Sequence, residues 1–343
     1  MCKKIHRGGN AEQYHADKKY KEAIAEAVEA CAADTKGQKC YICLEAVHPH
    51  TGEGLVRGCA CGDRDGVSSP ELGVAHVSCL ARQAKILCEE AEANNLYGTE
   101  MFDESWKRWY TCSLCEQAYH GVVYCALGWA CWKSCVGRPE KDQLRLAAMR
   151  QLGNALSAAD RHEEGLAVKE AELAAHQRLF PYDLGNLLTS KGNIANTLDS
   201  LGRHDEAFAL RRDVFQQRKQ LVGIEDGETL REAVNLAAGL IQLGRVADAR
   251  SFMSQNKCVA IAKRCLGPDH DLTLKLQLCE SGAVAHDDTA SLDELKQAVA
   301  TMEDVCKRAR RVLGNEHPLT DVYQRKRDSV RGAYLSRLRQ ERA

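Results

Sequence analysis

The chain has 343 residues, and its 47 Lys and Arg residues balance 48 Asp and Glu residues. This length favours two domains of roughly 100–200 residues over a single core. A near-zero net charge provides no overall field for nucleic acid or an anionic membrane, so the basic runs at 307–311 and 325–327 are interpreted as solvated helix faces. No apolar run approaches the ~20 residues of a membrane span, and we expect a soluble protein.

The cysteine residues divide the chain into two parts. Thirteen of the seventeen Cys precede residue 136, and only Cys258, Cys265, Cys279 and Cys306 follow it. Residues 1–7 lack the apolar core of a cleavable leader, which predicts a reducing, cytosolic or nuclear location. In such a compartment, closely spaced Cys pairs are expected to be thiolate metal ligands rather than disulfides.

Residues 1–36 are predicted to contain an amphipathic helix. Tyr20, Ile24 and Val28 recur at helical spacing, while Lys and Glu occupy the opposite face. Two roles are open for this helix. It is similar to the second helix of a tetratricopeptide unit, and it also suits a helix that packs on the segment after it.

Residues 37–120 are the predicted metal-binding module. They contain eight soft or borderline ligands in four close pairs: Cys40 and Cys43, Cys59 and Cys61, His76 and Cys79, and Cys112 and Cys115. Eight ligands are enough for two tetrahedral zinc sites. The apolar residues of this module are too few to hold a fold alone, so we expect bound zinc to supply on the order of 10 kcal/mol per site.

Residues 121–143 are apolar and aromatic and are predicted to form a packing bridge between the two parts of the chain. Four further metal-ligating side chains lie in or beside this segment: His120, Cys125, Cys131 and Cys135. Their spacing matches no paired-ligand pattern, which favours buried thiols over a third zinc site.

From residue 144 to about residue 320 the sequence repeats. Arg161, Arg203 and Arg245 begin similar segments that are 42 residues apart. The helix predicted before each segment has apolar residues at matching positions: Leu152 and Leu156, Ile194 and Leu198, and Leu236 and Leu240. A period of this size indicates stacked helix pairs. A second repeated segment, at 222–229, 266–273 and 313–320, ends the second helix of a pair with Gly or Pro.

These repeats resemble the long tetratricopeptide repeats of kinesin light chains. The resemblance implies an α-solenoid of about four helix pairs. Residues 283–291 are polar, and we expect the fourth pair to be irregular there. Residues 321–343 are predicted to form a charged capping helix, with a coiled coil as the alternative.

The first helix of each pair lines the concave side of such an array, where polar side chains can bind extended peptides. The predicted peptide-binding residues are Arg150, Asn154, Asn193, Asn196, Arg231 and Asn235. Their Asn residues recur on the 42-residue period. The alternative is that each Asn only bridges neighbouring helices by hydrogen bonds.

The metal-binding module resembles the RING-CH zinc finger of ubiquitin ligases. The shared features are the ligand order, four Cys, one His and three Cys, and the single residue between the third and fourth ligands. In that family the pairs interleave, which implies one zinc on Cys40, Cys43, His76 and Cys79 and another on Cys59, Cys61, Cys112 and Cys115. The resemblance also implies that Ile42 and Leu114 contact a ubiquitin-conjugating enzyme.

A PHD finger, which reads histone tails, has the same ligand order. The fourteen residues between Cys61 and His76 favour RING-CH over PHD, whereas Tyr110, two residues before the seventh ligand, fits PHD. The module departs from RING-CH at Gln83, where that family has Trp, and at Glu116, where many active RING ligases have a cation. Its segment between the sixth and seventh ligands is also longer than usual.

No phosphate loop, Gly-x-Ser-x-Gly elbow or His-Glu-x-x-His motif is present. We therefore predict a mainly α protein with a small two-zinc, cross-brace module followed by an α-solenoid. Its predicted function is that of a RING-type ubiquitin ligase or ligase subunit, which acts by positioning a conjugating enzyme while the array recruits a substrate or partner. The alternative is a non-catalytic zinc-binding scaffold, which Gln83 and Glu116 favour.

Overall fold

The structure is a computed structural model that describes residues 8–59, 61, 73–314 and 318–342. Residues 1–7, on which the leader interpretation depends, and residues 315–317 of the last repeated segment lie outside the described chain. The described chain is mainly helical, which confirms the predicted fold class. None of the helices in these ranges is long and apolar enough to cross a membrane.

The first compact unit contains the described residues up to Asp183. Its helices are α1 (Gly8–Ala30), α2 (Val77–Ala93), α3 (Glu100–Trp106), α4 (Gly121–Cys135), α5 (Gln143–Ala158) and α6 (His162–Leu179). Two short strands, β1 (Val56–Arg57) and β2 (Val74–Ala75), pair antiparallel, with Val56 opposite Ala75. A 3₁₀ turn at Lys107–Trp109 follows α3.

Helix α4 is the buried centre of this unit. Apolar residues occupy all of its faces, and it packs against α1, α2 and α5. Gly128 permits the close approach of α5, because a Cβ atom there would lie 2.5 Å from the Cβ of Ala155. The same apolar core includes the buried thiols of the metal-binding module. The module therefore shares a core with helices and does not build one of its own.

Helix α1 packs on both α4 and the metal-binding module. The Tyr20 hydroxyl lies 3.5 Å from the Ser78 hydroxyl at the start of α2. Val28 lies against Gly54, where a Cβ atom would come within 2.7 Å of the Val28 side chain. Packing on the module is therefore the role that α1 has in the structure.

The second compact unit is helical from Leu184 onward. Its helices are α7 (Leu184–Ser200), α8 (His204–Val222), α9 (Gly227–Gln242), α10 (Val246–Gln255), α11 (Cys258–Cys265), α12 (Asp271–Ala285), α13 (Leu292–Leu313) and α14 (Pro318–Arg342). Helix α8 packs on α7 and α9, and α12 packs on α9, α13 and α14. Successive pairs therefore stack as a solenoid.

The 42-residue repeat has one local structure. The residue before each repeated Arg has a left-handed backbone, with φ of 59° at Asp160, 75° at Gly202 and 70° at Gly244. Each Arg then pairs with the acidic residue three positions later: Arg161 with Glu164, Arg203 with Glu206 and Arg245 with Asp248. The repeated residues thus set the turn between the two helices of a pair and the start of the second helix.

The second repeated segment also has a physical explanation. Gly223, Gly267 and Gly314 follow α8, α11 and α13 with φ between 86° and 92°, a conformation that favours Gly. The buried hydroxyl of Thr273 donates to the carbonyl of Gly267 at 2.8 Å, and that of Thr320 donates to Gly314 at 2.7 Å. The shared Gly and Thr therefore fix these two connections, whereas in the first segment the hydroxyl of Thr229 donates to Asp226 at 3.1 Å.

The third pair differs from the sequence-based expectation, whereas the fourth pair is irregular between its two helices, as expected. The second helix of the third pair is divided into α10 and α11 by Lys257, whose φ is 47°. No Pro or Gly marks this break. The irregularity expected at 283–291 is confined to the connection between α12 and α13, and Ser291 caps α13 with a full capping box. Helix α14 buries Tyr323 and Val330 against α12 and α13.

Candidate metal centres and protein-binding helices

Two groups of four potential ligands lie in the first unit. Site 1 consists of Cys40, Cys43, His76 and Cys79, and site 2 consists of Cys59, Cys61, Cys112 and Cys115. Within each site all ligand atoms lie within 4.8 Å of one another. The structure thus brings the first ligand pair next to the third and the second next to the fourth, as the RING-CH resemblance implies. Both sites can bind a metal ion.

The distances within the sites suit a tetrahedral ion. The Nδ1 atom of His76 lies 3.3 Å from the Cys43 sulfur and 3.7 Å from the Cys79 sulfur, and the sulfurs of Cys61 and Cys112 are 3.5 Å apart. A tetrahedron with zinc–ligand bonds of about 2.0–2.3 Å has edges of about 3.3–3.8 Å. A disulfide would require about 2.05 Å. All the cysteines that the structure describes are free thiols.

Two loops of the same conformation hold the first and last ligand pairs. We call residues 40–45 the first zinc loop and residues 112–117 the second. The backbone N–H groups of Ile42 and Leu114 each donate to the sulfur of the first Cys of their pair, at 3.4 Å. Leu44 and Glu116 follow the second Cys with left-handed φ values of 66° and 58°. Such values are strained for non-Gly residues, so the surrounding contacts must hold both loops in this shape.

The electrostatics of site 2 favour a bound cation. Burial, with neighbouring thiols, raises the pKa of Cys61 to about 12, whereas a hydrogen bond from Cys59 lowers the pKa of Cys112 to about 4. The Cys112 thiolate is thus stabilised by hydrogen bonds from neighbouring thiols that keep their protons. A divalent cation stabilises all four thiolates together. In site 1, burial lowers the pKa of His76, which favours the neutral ring that metals bind.

Two residues that support the sites were not identified from the sequence. The Glu53 carboxylate accepts hydrogen bonds from the backbone N–H of Ser78 at 2.7 Å and from its hydroxyl at 2.5 Å, and so fixes the start of α2 beside His76. Gly73 has φ of 81°, and a Cβ atom there would lie 2.9 Å from the Cys59 sulfur. Gly73 is one of several glycines in the module, and nothing in the sequence around it indicates this close approach.

The tips of the two zinc loops form an exposed apolar surface, which we call the loop surface and define by Ile42, Leu44 and Leu114. These side chains are 37%, 67% and 48% exposed. The Tyr41 hydroxyl lies 3.2 Å from the Ser113 hydroxyl and links the two loops. The structure therefore places Ile42 and Leu114 on adjoining loops and adds Leu44, which the sequence analysis had not selected.

The four side chains considered for a third zinc site do not come together. His120 precedes the first residue of α4 and Cys135 is the last residue of that helix, so about 22 Å of helix separates them. The Cys125 sulfur lies 3.9 Å from the Arg161 guanidinium, and Cys131 is fully buried. No third ligand group forms among the residues that the structure describes. These cysteines are buried thiols.

Two of the predicted peptide-binding residues lie on α5 in the first unit. The Arg150 guanidinium pairs with the buried carboxylate of Glu172 at 2.8 Å, which ties α5 to α6. Asn154 is half-buried on the same helix. The ion pair gives Arg150 a structural role, and a peptide contact by either residue stays a prediction.

The other four predicted residues lie on α7 and α9 in the second unit. The Asn196 side-chain oxygen accepts from Arg211 at 2.8 Å, and the Asn235 amide donates to Glu232 at 3.4 Å. Arg231 is exposed and pairs with a neighbouring acid on its own helix, and Asn193 is half-buried. The bond between Asn196 and Arg211 joins α7 to α8, as the helix-bridging alternative describes. A peptide contact for these residues stays a prediction.

Comparison with known proteins identifies the repeats. Residues 187–227 match the family model of the tetratricopeptide repeat. Two crystal structures of a putative kinesin light chain with nearly identical TPR-like repeats from Podosopora anserina are 18% identical to this chain and cover 69% of it. The match includes 97% and 98% of those chains, with TM-scores of 0.44 and 0.43. BtubC from P. vanneervenii is 12% identical over 75% of this chain and 91% of its own, with a TM-score of 0.41.

No curated protein matches the sequence significantly. The superposition scores are low, so the repeat assignment rests on the helix packing and the family-model match. Tetratricopeptide arrays bind proteins through their stacked helices, and this array therefore indicates a scaffold for protein–protein interaction.

Proposed function

We propose that this protein is a RING-type ubiquitin ligase or ligase subunit. In this proposal the metal-binding module docks a ubiquitin-charged conjugating enzyme, and the repeat array recruits the substrate or partner. The observation that carries the proposal is the interleaving of the ligand pairs, with Ile42 and Leu114 exposed on adjoining zinc loops. The proposal implies a cytosolic or nuclear role.

The eight ligands would hold two zinc ions, and the chemistry that zinc supplies in such sites is structural. The soft thiolate donors and the ligand distances fit zinc better than calcium or magnesium, which prefer oxygen ligands. The N–H···S bonds of Ile42 and Leu114 fix the backbone of both loops. An apolar surface with a fixed backbone loses little conformational entropy when a partner docks on it.

The module has no role in covalent chemistry in this proposal. Its contribution is to hold the conjugating enzyme and its ubiquitin thioester in a reactive orientation. Glu116 lies on the second zinc loop with its side chain exposed. Many active RING ligases have a cationic residue at this position, and in this proposal that residue would contact ubiquitin. A carboxylate cannot form that contact, so we expect slow discharge of ubiquitin by the natural sequence.

A discharge assay tests the proposal. The full chain is incubated with a panel of ubiquitin-charged conjugating enzymes, and the loss of the thioester is measured over time. Ile42→Ala should slow discharge about tenfold, because it truncates an apolar side chain of the loop surface. Leu335→Ala is the matched control, since Leu335 is a similarly exposed apolar residue on α14, and it should leave the rate unchanged. Zinc analysis of each variant confirms that the sites are intact.

The second candidate function is a non-catalytic scaffold in which the zinc module is structural. Gln83, half-buried on α2, and the exposed Glu116 favour it, because both depart from the RING-CH pattern. If the wild type and Ile42→Ala release ubiquitin at the same slow rate with every conjugating enzyme, the ligase proposal is wrong and the scaffold remains.

A further inference from the structure

A cavity of about 300 Å³ lies between α10, α12 and α13 in the second unit. It is next to the last turns of α10, just before the break at Lys257 ends the regular second helix of the third pair. Its volume is at the lower end of the about 300–1,000 Å³ of small-molecule sites, which suits a single side chain better than a larger ligand.

The cavity combines an apolar floor with polar groups. Met253 and Ala298 are almost fully buried, and Val284 is half-buried between them. Four polar side chains also line the cavity: Glu280, Ser281, Gln297 and Thr301. An apolar floor with a few convergent polar groups is typical of a binding site.

Two of these polar groups, Ser281 and Glu280, have no hydrogen-bond or ion-pair partner among the described residues. Ser281 lines the cavity with 3% of its surface exposed, and its hydroxyl forms no hydrogen bond with any residue that the structure describes. The carboxylate of Glu280 forms no ion pair in the same part of the chain. Both groups can therefore form a hydrogen bond with a water or a ligand that enters the cavity.

The charge at the cavity is negative. The guanidinium of Arg250 is held by Asp287 and Glu294 together, so those three groups leave one negative charge in excess. Glu280 adds a second. Lys263 acts on Glu280 only through space, without an ion pair, and desolvation raises the pKa of Glu280. Glu280 is exposed at the edge of the cavity, where a bound cation would be attracted by the excess negative charge.

We propose that this cavity binds the side chain of a lysine from a protein partner of the array. The aliphatic stem would lie on Met253, Val284 and Ala298, and the ammonium group would donate to Glu280 and Ser281. A lysine side chain has this division, with an apolar stem and three donors at its end. The inference rests on the array's role in protein binding and not on the zinc sites or on ligase activity.

The test uses n-hexylammonium chloride as the probe for the lysine side chain and the full chain with ¹³C-labelled Met methyl groups. The resonance of Met253 should shift and saturate as the probe is added, while that of Met149 in the first unit stays unchanged. Neutral n-hexanol should bind at least about fivefold more weakly, since it lacks the charge that Glu280 attracts.

Two variants separate the charge from the cavity. Glu280→Gln should weaken hexylammonium binding about fivefold and leave hexanol binding unchanged, whereas Glu303→Gln, an exposed acid on α13, should change neither. Ala298→Leu should fill the floor and abolish both. The proposal is overturned if Met253 does not respond to the probe, if hexanol binds as tightly as the ammonium, or if Glu280→Gln leaves binding unchanged. None of these results bears on the discharge assay.

Discussion

The zinc loops of the first unit and the helix pairs of the second unit are held together in different ways. The loops depend on contacts between residues far apart in the sequence, such as Cys61 and Cys112, which are 51 residues apart. The helix pairs depend on local turns and caps that recur along the array, such as the hydrogen-bonded Gly and Thr after α11 and α13. The zinc loops should unfold when their metal cross-links are removed. The stability of the helix pairs, in contrast, is distributed over many small local interactions.

Removal of metal should produce the largest difference between the zinc loops and the helix pairs. We expect two zinc ions per chain, and each site should contribute on the order of 10 kcal/mol to the folding of the loops. After chelation, the backbone amides of both zinc loops should exchange rapidly with deuterium, while those of α12 and α13 keep their protection. Fewer than two zinc ions per chain would contradict the pairing of the ligands.

Gly73→Ala should weaken site 2 selectively. The added Cβ would lie 2.7 Å from the Cβ of Cys61 and 2.9 Å from the Cys59 sulfur. We expect zinc affinity at site 2 to fall about 10–100-fold, as measured by competition with a chelator. Gly98→Ala is the matched control, because Gly98 has nearly the same φ, 77° against 81°, and open space around it. Equal zinc affinity in the two variants would contradict the predicted clash between the added Cβ and site 2.

A buried lysine gives the first unit a pH dependence that the second unit lacks at the same repeat position. Lys169, Arg211 and Met253 are 42 residues apart and all buried. The Lys169 ammonium donates to the Ser157 hydroxyl at 3.0 Å. Arg211 instead forms an ion pair with the carboxylate of Asp199, which lies 42 residues after Ser157 and so occupies the same repeat position. Burial lowers the pKa of Lys169 from 10.5 to about 8.

The sign of this effect follows from the protons bound. Between pH 8 and 10.5 the unfolded chain keeps a proton on Lys169 that the folded chain has lost, so the free energy of unfolding should rise with pH in this window. Across this pH window the free energy of unfolding of the wild type should rise by up to about 3 kcal/mol relative to that of Lys169→Met. Denaturant unfolding at several pH values measures the difference. Ser157→Asp, which supplies the carboxylate found at Asp199, should remove the slope, and an unchanged slope would contradict this explanation.

The smallest expected effect lies in the second unit. Gly282 is inside α12 and has nothing within 4 Å of an added Cβ, so Gly282→Ala should raise the free energy of unfolding by about 0.5–1 kcal/mol. Gly192→Ala should not stabilise, because its Cβ would lie 2.7 Å from a carboxylate oxygen of Glu232. Thermal unfolding of both variants compares them. A gain at both positions would mean that the stacking of α7 on α9 is looser than the structure shows.

The sequence was sufficient to predict local features. The four ligand pairs were recognised from their spacing, because two ligands of one ion must be close along the chain in such loops. The solenoid was recognised from its period, because each repeat solves the same packing problem with the same residues. The division of α10 from α11 was not recognised, since Lys257 adopts a left-handed backbone without the Gly or Pro that normally marks one.

Contacts between distant segments needed the structure. Nothing local to Glu53 or Gly73 indicates that one fixes the start of α2 and the other lies against the Cys59 sulfur. Likewise, no pattern around Glu280 and Ser281 predicts that three helices leave a cavity at these residues. The sequence alone determined which residues can bind metal and where the helix pairs repeat, because those properties depend on spacing along the chain. The tertiary structure decided which ligand pairs meet and which polar groups are left without partners, because these depend on how distant segments pack.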